Sequence, residues 1–309
     1  MTMMIISERS DAWAESWVKA IHAVDPNIKI NIWPDIEDPL SIAFAVAWVY
    51  PHGELAKFPN LKCISSAGAG VDFILSDPKL PKDLAVVRLI DKNLIRDMTQ
   101  YIVWAVLNHA RHFDFYSQSQ TRKLWAPRSL TQQPKIGIMG SGQLGSDAAI
   151  KLTQLGFQVS TFSQSPQTLP DITHFYGKNQ LNAFLSRINI LICLLPLTPD
   201  TRHILNRELF GQLPPGAYLI NVARGHHLVE ADLIAAIESN QLSGACLDVF
   251  ATEPLPTSSP LWKEAHVIIT PHIASTTDTH SVAPQIVENY RRVMAGQPLL
   301  NLVNREKGY

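Results

Sequence analysis

The stretch KIGIMGSGQLGSDAA, residues 135–149, decides the fold. Lys135 to Met139 is an apolar run of strand length. Gly140, Gly142 and Gly145 follow, and "QLGSDAAIKLTQLG" then carries helical periodicity up to Gly156, a residue suited to closing a helix. Glycines so spaced permit a tight turn, bring backbone close to a ligand and let the helix pack against the strand. The helix N-terminus offers unpaired N–H groups and the positive end of its dipole to an anion. Strand, glycine turn and helix in this order predict a dinucleotide site, with Gly140, Gly142, Gln143, Leu144 and Gly145 around the pyrophosphate.

The end of the next strand, "FQVSTF", is where an adenosine ribose is read. An acid there would select a free 2′-hydroxyl. Here stand Ser163, Gln164 and Ser165, which have no charge to repel a 2′-phosphate and can hydrogen-bond one. The expected cofactor is NADP(H), with NAD(H) as the second choice.

Outward from this turn, apolar runs alternate with helical periodicity in both directions. "MMIIS", "IKINIW", "AFAVAW", "LKCISS" and "LAVVRL" are predicted strands before it; "INILICLL", "AYLINVA", "GACLDVF" and "HVIIT" follow it. Helices are predicted over 11–23, 97–113 and 279–294, and the polar stretch 116–134 as an extended arm. Such alternation implies α/β architecture with parallel sheets covered on both faces. The expectation is two doubly wound domains with a cleft between them. Residues 1–98 and 276–309 form one, and residues 99–275 form the dinucleotide-binding one.

Composition narrows the function classes. Twenty-six basic residues nearly balance 27 acidic ones, for a net charge of −1, so no basic face advertises nucleic acid or an anionic membrane. The longest apolar run, 42–50, is far too short to span a bilayer, and the N-terminus lacks the pattern of a secretory signal. Cys63, Cys193 and Cys246 lie far apart in apolar runs, which predicts buried reduced thiols and no metal site. A cytoplasmic protein is expected.

Three later stretches, "LINVARGHHLVE", "LDVFATEPLP" and "IITPHIAS", each place a polar residue just beyond a predicted strand. Carboxyl ends of strands form the ligand crevice of open α/β sheets, so Arg224, Glu253 and His272 are candidates for one site. His226 and His227 are expected to be ordinary loop residues, since no third metal ligand accompanies them.

These motifs, in order, resemble the D-isomer-specific 2-hydroxyacid dehydrogenase family: the glycine turn, "PLTPDTR" at 196–202, "NVARG" at 221–225, "LDVF" at 247–250, "EPLP" at 253–256 and "TPHIA" at 270–274. "AGAGVD" at 67–72, "GAYLINVARG" at 216–225 and "SPLW" at 259–262 are similar to its glyoxylate- and hydroxypyruvate-reducing subgroup. The resemblance covers essentially the whole chain. It implies a flavodoxin-like substrate domain, a Rossmann cofactor domain, and reduction of glyoxylate to glycolate and of hydroxypyruvate to D-glycerate. Another 2-hydroxyacid dehydrogenase of phosphoglycerate or lactate type, or a dinucleotide-sensing regulator of the same fold, is the alternative.

The family's roles fall on particular residues. His272 matches the acid–base that protonates the substrate oxygen, a task suited to an imidazole. Glu253 matches the carboxylate that orients that ring, and Arg224 the guanidinium that holds the 2-oxoacid. Ala69 and Gly70 match the turn that takes the substrate carboxylate, and Trp48 is a candidate apolar wall. Met98, Leu195, Pro196, Thr201, Val222, Ala223 and Asp248, with His272, match cofactor contacts. Gln100 stands where many relatives carry an acid. A homodimer is implied, with the region 97–134 as its interface.

Overall fold

Parallel strands buried on both faces dominate the chain, as its uninterrupted apolar runs require. The computed structural model describes residues 1–129 and 134–308. It divides into two compact units, Met1–Leu94 with Thr276–Tyr309, and Ile95–Ser275. The divide between the units falls inside the helix that spans Lys92–Ala110.

The first unit holds a five-stranded parallel sheet of β1 (Thr2–Ile6), β2 (Ile30–Ile32), β3 (Ile42–Ala47), β4 (Cys63–Ser66) and β5 (Ala85–Val87), in the order β2-β1-β3-β4-β5. Alternation along β1 feeds two cores. Met3 and Ile5 pack with Trp17 and Ile21 of α1 (Asp11–Val24) and with Val282 and Ile286 of the final helix, Thr279–Ala295. Met4 and Ile6 face the opposite core, with Leu55, Phe58 and Ile64. A short helix, α2 (Asp72–Leu75), follows the turn after β4.

Helix α3 spans Lys92–Ala110. Its start is set by Asp91, whose carboxylate accepts from the N–H groups of Asn93 and Leu94. His112, in the left-handed region at φ 57°, then breaks the chain direction. A second helix, α4 (Phe113–Thr121), occupies the beginning of the stretch expected to be an extended arm. Its Gln, Ser and Thr residues form no apolar stripe, so periodicity could not reveal it. The rest of that expected arm lies partly outside the described residues.

The second unit carries a seven-stranded parallel sheet: β6 (Lys135–Met139), β7 (Gln158–Ser163), β8 (Thr173–Tyr176), β9 (Ile190–Cys193), β10 (Ala217–Asn221), β11 (Leu242–Leu247) and β12 (Val267–Ile269). The order β12-β11-β10-β9-β6-β7-β8 reverses direction at β6, between β9 and β7. That switch point is where doubly wound sheets place a ligand crevice. Strand β8, THFY, is a sheet edge with polar, half-exposed residues and was not anticipated from apolar content. The helices α5 (Gln143–Gln154), α6 (Leu181–Leu185), α7 (Arg207–Phe210) and α8 (Glu230–Glu238) follow their strands, and the final helix is α9. Among the described residues no helix is long and apolar enough to cross a membrane.

Candidate active site

The glycine turn leaves β6 and enters α5 at the switch point. A side-chain carbon at Gly145 would lie 1.8 Å from the carbonyl oxygen of Gly140, so only glycine allows the helix this close to the strand. One at Gly142 would meet nothing within 4 Å, so the turn's outer surface is open. Gly142 is also the N-cap of α5, and no side chain caps its first turn. The hydroxyl of Ser141 is buried and has no hydrogen-bond partner among the described residues. Open surface, uncapped helix N–H groups and a partnerless hydroxyl fit the pyrophosphate of a dinucleotide. Gln143 is exposed and Leu144 half-buried on the same turn.

Ser163 ends β7, with Gln164 and Ser165 exposed beyond it. The Ser163 hydroxyl donates to the Ser165 carbonyl at 2.7 Å. The strand end after β9 carries Leu195, Pro196 and Thr201. The Thr201 hydroxyl donates to the Pro196 carbonyl at 2.7 Å and accepts from the Thr198 N–H at 2.8 Å, which closes this turn on itself.

Arg224 follows β10 after the buried Val222 and Ala223, and its guanidinium donates to the Ala223 carbonyl at 2.7 Å. Asn221 shapes the turn by donating to the Arg224 carbonyl and accepting from the Ala223 N–H. Gly225 packs directly on the next strand's turn: a side-chain carbon there would lie 1.8 Å from the carbonyl carbon of Phe250. This close approach brings the Arg224 turn against the segment that leads to Glu253.

Glu253 and His272 form the polar centre of this unit. The Nδ1 of His272 stands 2.7 Å from Glu253 Oε2, while Oε1 accepts from the Phe250 N–H at 2.9 Å. Burial pushes the Glu253 carboxyl up, but the hydrogen bonds from His272 and Phe250 and the nearby Arg224 charge outweigh it and hold the group below its ordinary value. With Nδ1 turned to the carboxylate, Nε2 is the ring's remaining proton-carrying atom.

Asp248 builds the loop that bears His272. It is 1% exposed, and its carboxylate accepts from Thr270 Oγ1 at 2.6 Å, the Ile273 N–H at 2.9 Å and the Ala274 N–H at 2.8 Å. The His272 N–H donates to the Asp248 carbonyl at 2.8 Å, and His272 itself has φ 55°. Tyr101 of α3 adds a hydrogen bond between its hydroxyl and that of Thr270. Met98, one turn earlier, is buried in the core that also holds Ile138, Ala148 and Ala274.

Sequence reasoning missed two supports here. His227 is not an ordinary loop residue: it is fully buried, with Nδ1 3.1 Å from the Arg224 carbonyl and Nε2 3.2 Å from the Pro196 carbonyl. Its ring therefore ties the Arg224 turn to the 196–201 turn. Thr270 and Tyr101 form the other support. A polar residue two places before His272 was a visible signal for Thr270; nothing in the sequence marked Tyr101.

In the first unit, the turn after β4 holds Ala69 and Gly70, both half-buried. The Ser66 hydroxyl donates to the Gly70 carbonyl at 2.6 Å and accepts from the Gly68 N–H at 3.2 Å. Trp48 lies against Gly68 and packs on Phe73, ring centroids 5.0 Å apart. The three thiols are buried and free; burial raises Cys63 and Cys193 to about 12 and Cys246 to about 11. Among the described residues no cluster of His, Cys, Asp and Glu suits a metal ion.

A family described as "D-isomer specific 2-hydroxyacid dehydrogenase, NAD binding domain" matches residues 103–274. The chain belongs to this family. It is similar to the glyoxylate/hydroxypyruvate reductase A of Serratia proteamaculans, with 41% identity over 96% of each chain. Among solved structures it is similar to a family member from Xanthobacter autotrophicus Py2 in complex with NADPH and MES: 39% identity, TM-score 0.94, covering 100% of this chain and 99% of that one. It is also similar to the NADPH-dependent glyoxylate/hydroxypyruvate reductase from Sinorhizobium meliloti in complex with NADP and sulfate: 33% identity, TM-score 0.92, covering 100% of both chains. The protein is thus a 2-hydroxyacid dehydrogenase, and the His272–Glu253 pair and the glycine turn belong to the segment that the family match spans.

Proposed function

We propose that this enzyme reduces small 2-oxoacids, glyoxylate to glycolate and hydroxypyruvate to D-glycerate, with NADPH. The observation that carries the reading is the 2.7 Å contact between His272 and Glu253, beside the Arg224 turn. The similar reductases of known name support the substrates, and the NADPH and NADP complexes support the cofactor.

NADPH, when bound, supplies the hydride that reaches the carbonyl carbon. Gly140, Gly142, Gln143, Leu144 and Gly145 hold its pyrophosphate, Ser163, Gln164 and Ser165 its adenosine side, and the 195–201 turn, Val222, Ala223, Met98 and Asp248 line the rest. His272 donates the Nε2 proton to the substrate oxygen as negative charge develops there. Glu253 keeps Nδ1 as the donor, fixes the ring and stabilises it once protonated. Arg224 holds the carboxylate and polarises the ketone, a pairing that suits a planar guanidinium. By the family resemblance, Ala69 and Gly70 are assigned to substrate-carboxylate binding through their backbone N–H groups, and Trp48 to an apolar wall. Residues 1–98 and 276–309 act as the substrate domain and 99–275 as the cofactor domain.

The enzyme acts in the cytoplasm as a homodimer. Support for pairing comes from the apolar side chains exposed on α3, α4 and the segment that follows: Trp104, Leu107, Phe113, Leu124 and Trp125, the last 97% exposed. The direct test follows loss of reduced-cofactor absorbance with glyoxylate and hydroxypyruvate, using NADPH and NADH in parallel. Fast loss with NADPH is expected. Loss with NADH alone would overturn the cofactor, and no loss with either would overturn the substrate class.

A further inference from the structure

We propose that His174 is the residue that makes the 163–165 turn selective for a 2′-phosphate; this rests on the NADPH reading above. The turn has hydroxyls and an amide but no cation. Its innermost hydroxyl is also engaged, since Ser163 Oγ donates to the Ser165 carbonyl at 2.7 Å. A hydroxyl has one proton, so a Ser163 held in this way has none for a ligand.

His174, on the neighbouring strand β8, changes that account. Its Nε2 stands 3.2 Å from Ser163 Oγ and 3.2 Å from the Ser165 carbonyl. The carbonyl can only accept, and the Ser163 proton is already given to it. Nε2 is therefore the donor and carries the ring proton. On the other side, Nδ1 stands 2.9 Å from the hydroxyl of Thr161, a fully buried residue of β7. That hydroxyl donates to Nδ1 and fixes the tautomer from within the sheet. The Tyr176 ring lies nearly parallel to the imidazole, at 10° and 6.4 Å between centroids.

The Ser165 carbonyl thus has two donors where it needs one. When Ser163 turns its O–H outward to a phosphate oxygen, the imidazole N–H still satisfies the carbonyl. The turn therefore keeps its tether from β8 while the Ser163 hydroxyl is given to the ligand. Without His174 the same movement removes the last side-chain tether on the Ser165 carbonyl and leaves the turn free to move away from the phosphate. A ribose with a free 2′-hydroxyl makes no such demand on Ser163. His174 is accordingly a specificity-determining residue that acts through Ser163.

Equilibrium binding of NADPH and of NADH, without substrate, tests this. The variants are His174→Leu, His174→Gln, Ser163→Ala and the Ser163→Ala/His174→Leu pair. His174→Leu is expected to weaken NADPH about tenfold, the scale of one hydrogen bond to a charged group, while changing NADH less than about twofold. His174→Gln, whose amide N–H still serves the carbonyl, keeps most of the NADPH affinity. The double variant loses no more than either single one, because the two side chains act as a unit. Equal weakening of both cofactors by His174→Leu, or additive losses in the pair, would overturn the proposal and leave His174 as a link between β7 and β8. If thermal unfolding shows that His174→Leu does not fold, Ser163→Ala decides: unchanged selectivity overturns the role. A wild-type protein with no preference for NADPH overturns the cofactor reading itself, and this role with it.

Discussion

Asp248 and Glu253 both follow β11 and both reach the loop that carries His272, yet they meet it differently. Asp248 is 1% exposed, and its carboxylate faces one hydroxyl and two backbone N–H groups of residues 270–274. The side chain of Glu253 is 35% exposed and is shared between one backbone N–H and the His272 ring. A carboxylate wrapped in backbone donors is a structural fastener, because each donor it satisfies would otherwise be stranded in the interior. A half-exposed carboxylate against an imidazole is free to respond when that ring changes charge. One acid decides where His272 stands; the other decides how its ring is turned.

The largest effect belongs to the group that the two acids serve. His272→Gln is expected to lower kcat about a thousandfold, within the range of a lost general acid, and to leave NADPH affinity nearly unchanged. Steady-state turnover beside a cofactor titration checks it, and unaltered turnover would remove His272 from the chemistry. Next comes Asp248→Ala, which leaves Thr270 and the N–H groups of Ile273 and Ala274 without their acceptor. A loss of about 3 kcal/mol in unfolding free energy is expected, at the scale of a few stranded donors. Urea denaturation measures it. A variant as stable as the wild type would show that Asp248 does not fasten the loop, and the contrast with Glu253 would collapse.

The same contrast shows what the sequence made legible. Strand runs such as "MMII" and "YLINV" are buried on both faces, so composition alone marks them, and the glycine turn is defined by steric demands that only glycine meets. Arg224, Glu253 and His272 stand beyond strand ends, where topology gives a polar residue its meaning. What escaped notice depends on partners far along the chain. Tyr101 meets Thr270, His227 meets Pro196, and His174 meets Thr161 and Ser165. Neither spacing nor periodicity encodes such pairs. Edge strand β8 and helix α4 escaped for a related reason: they are polar, and they are held by neighbours rather than by an apolar pattern of their own.

Glu253→Gln gives the smallest and most diagnostic effect. An amide still fills the space and still accepts from the Phe250 N–H, so the loop should keep its shape. What is lost is the charge that stabilises the protonated ring, and kcat is expected to fall about tenfold, the equivalent of ~1.4 kcal/mol in the barrier. Stability should carry a second signature. The Glu253 carboxyl lies below its ordinary value in the folded protein because the hydrogen bonds from His272 and Phe250 outweigh its burial. A carboxyl so shifted adds stability above its unfolded-state value, and that contribution disappears as pH falls through the folded-state value. Unfolding free energies measured from neutral to acid pH should therefore show the wild type losing its advantage over Glu253→Gln on acidification. A gap that stays constant across that range would mean that the carboxylate's charge contributes nothing to the pair, and that Glu253 is a second fastener like Asp248.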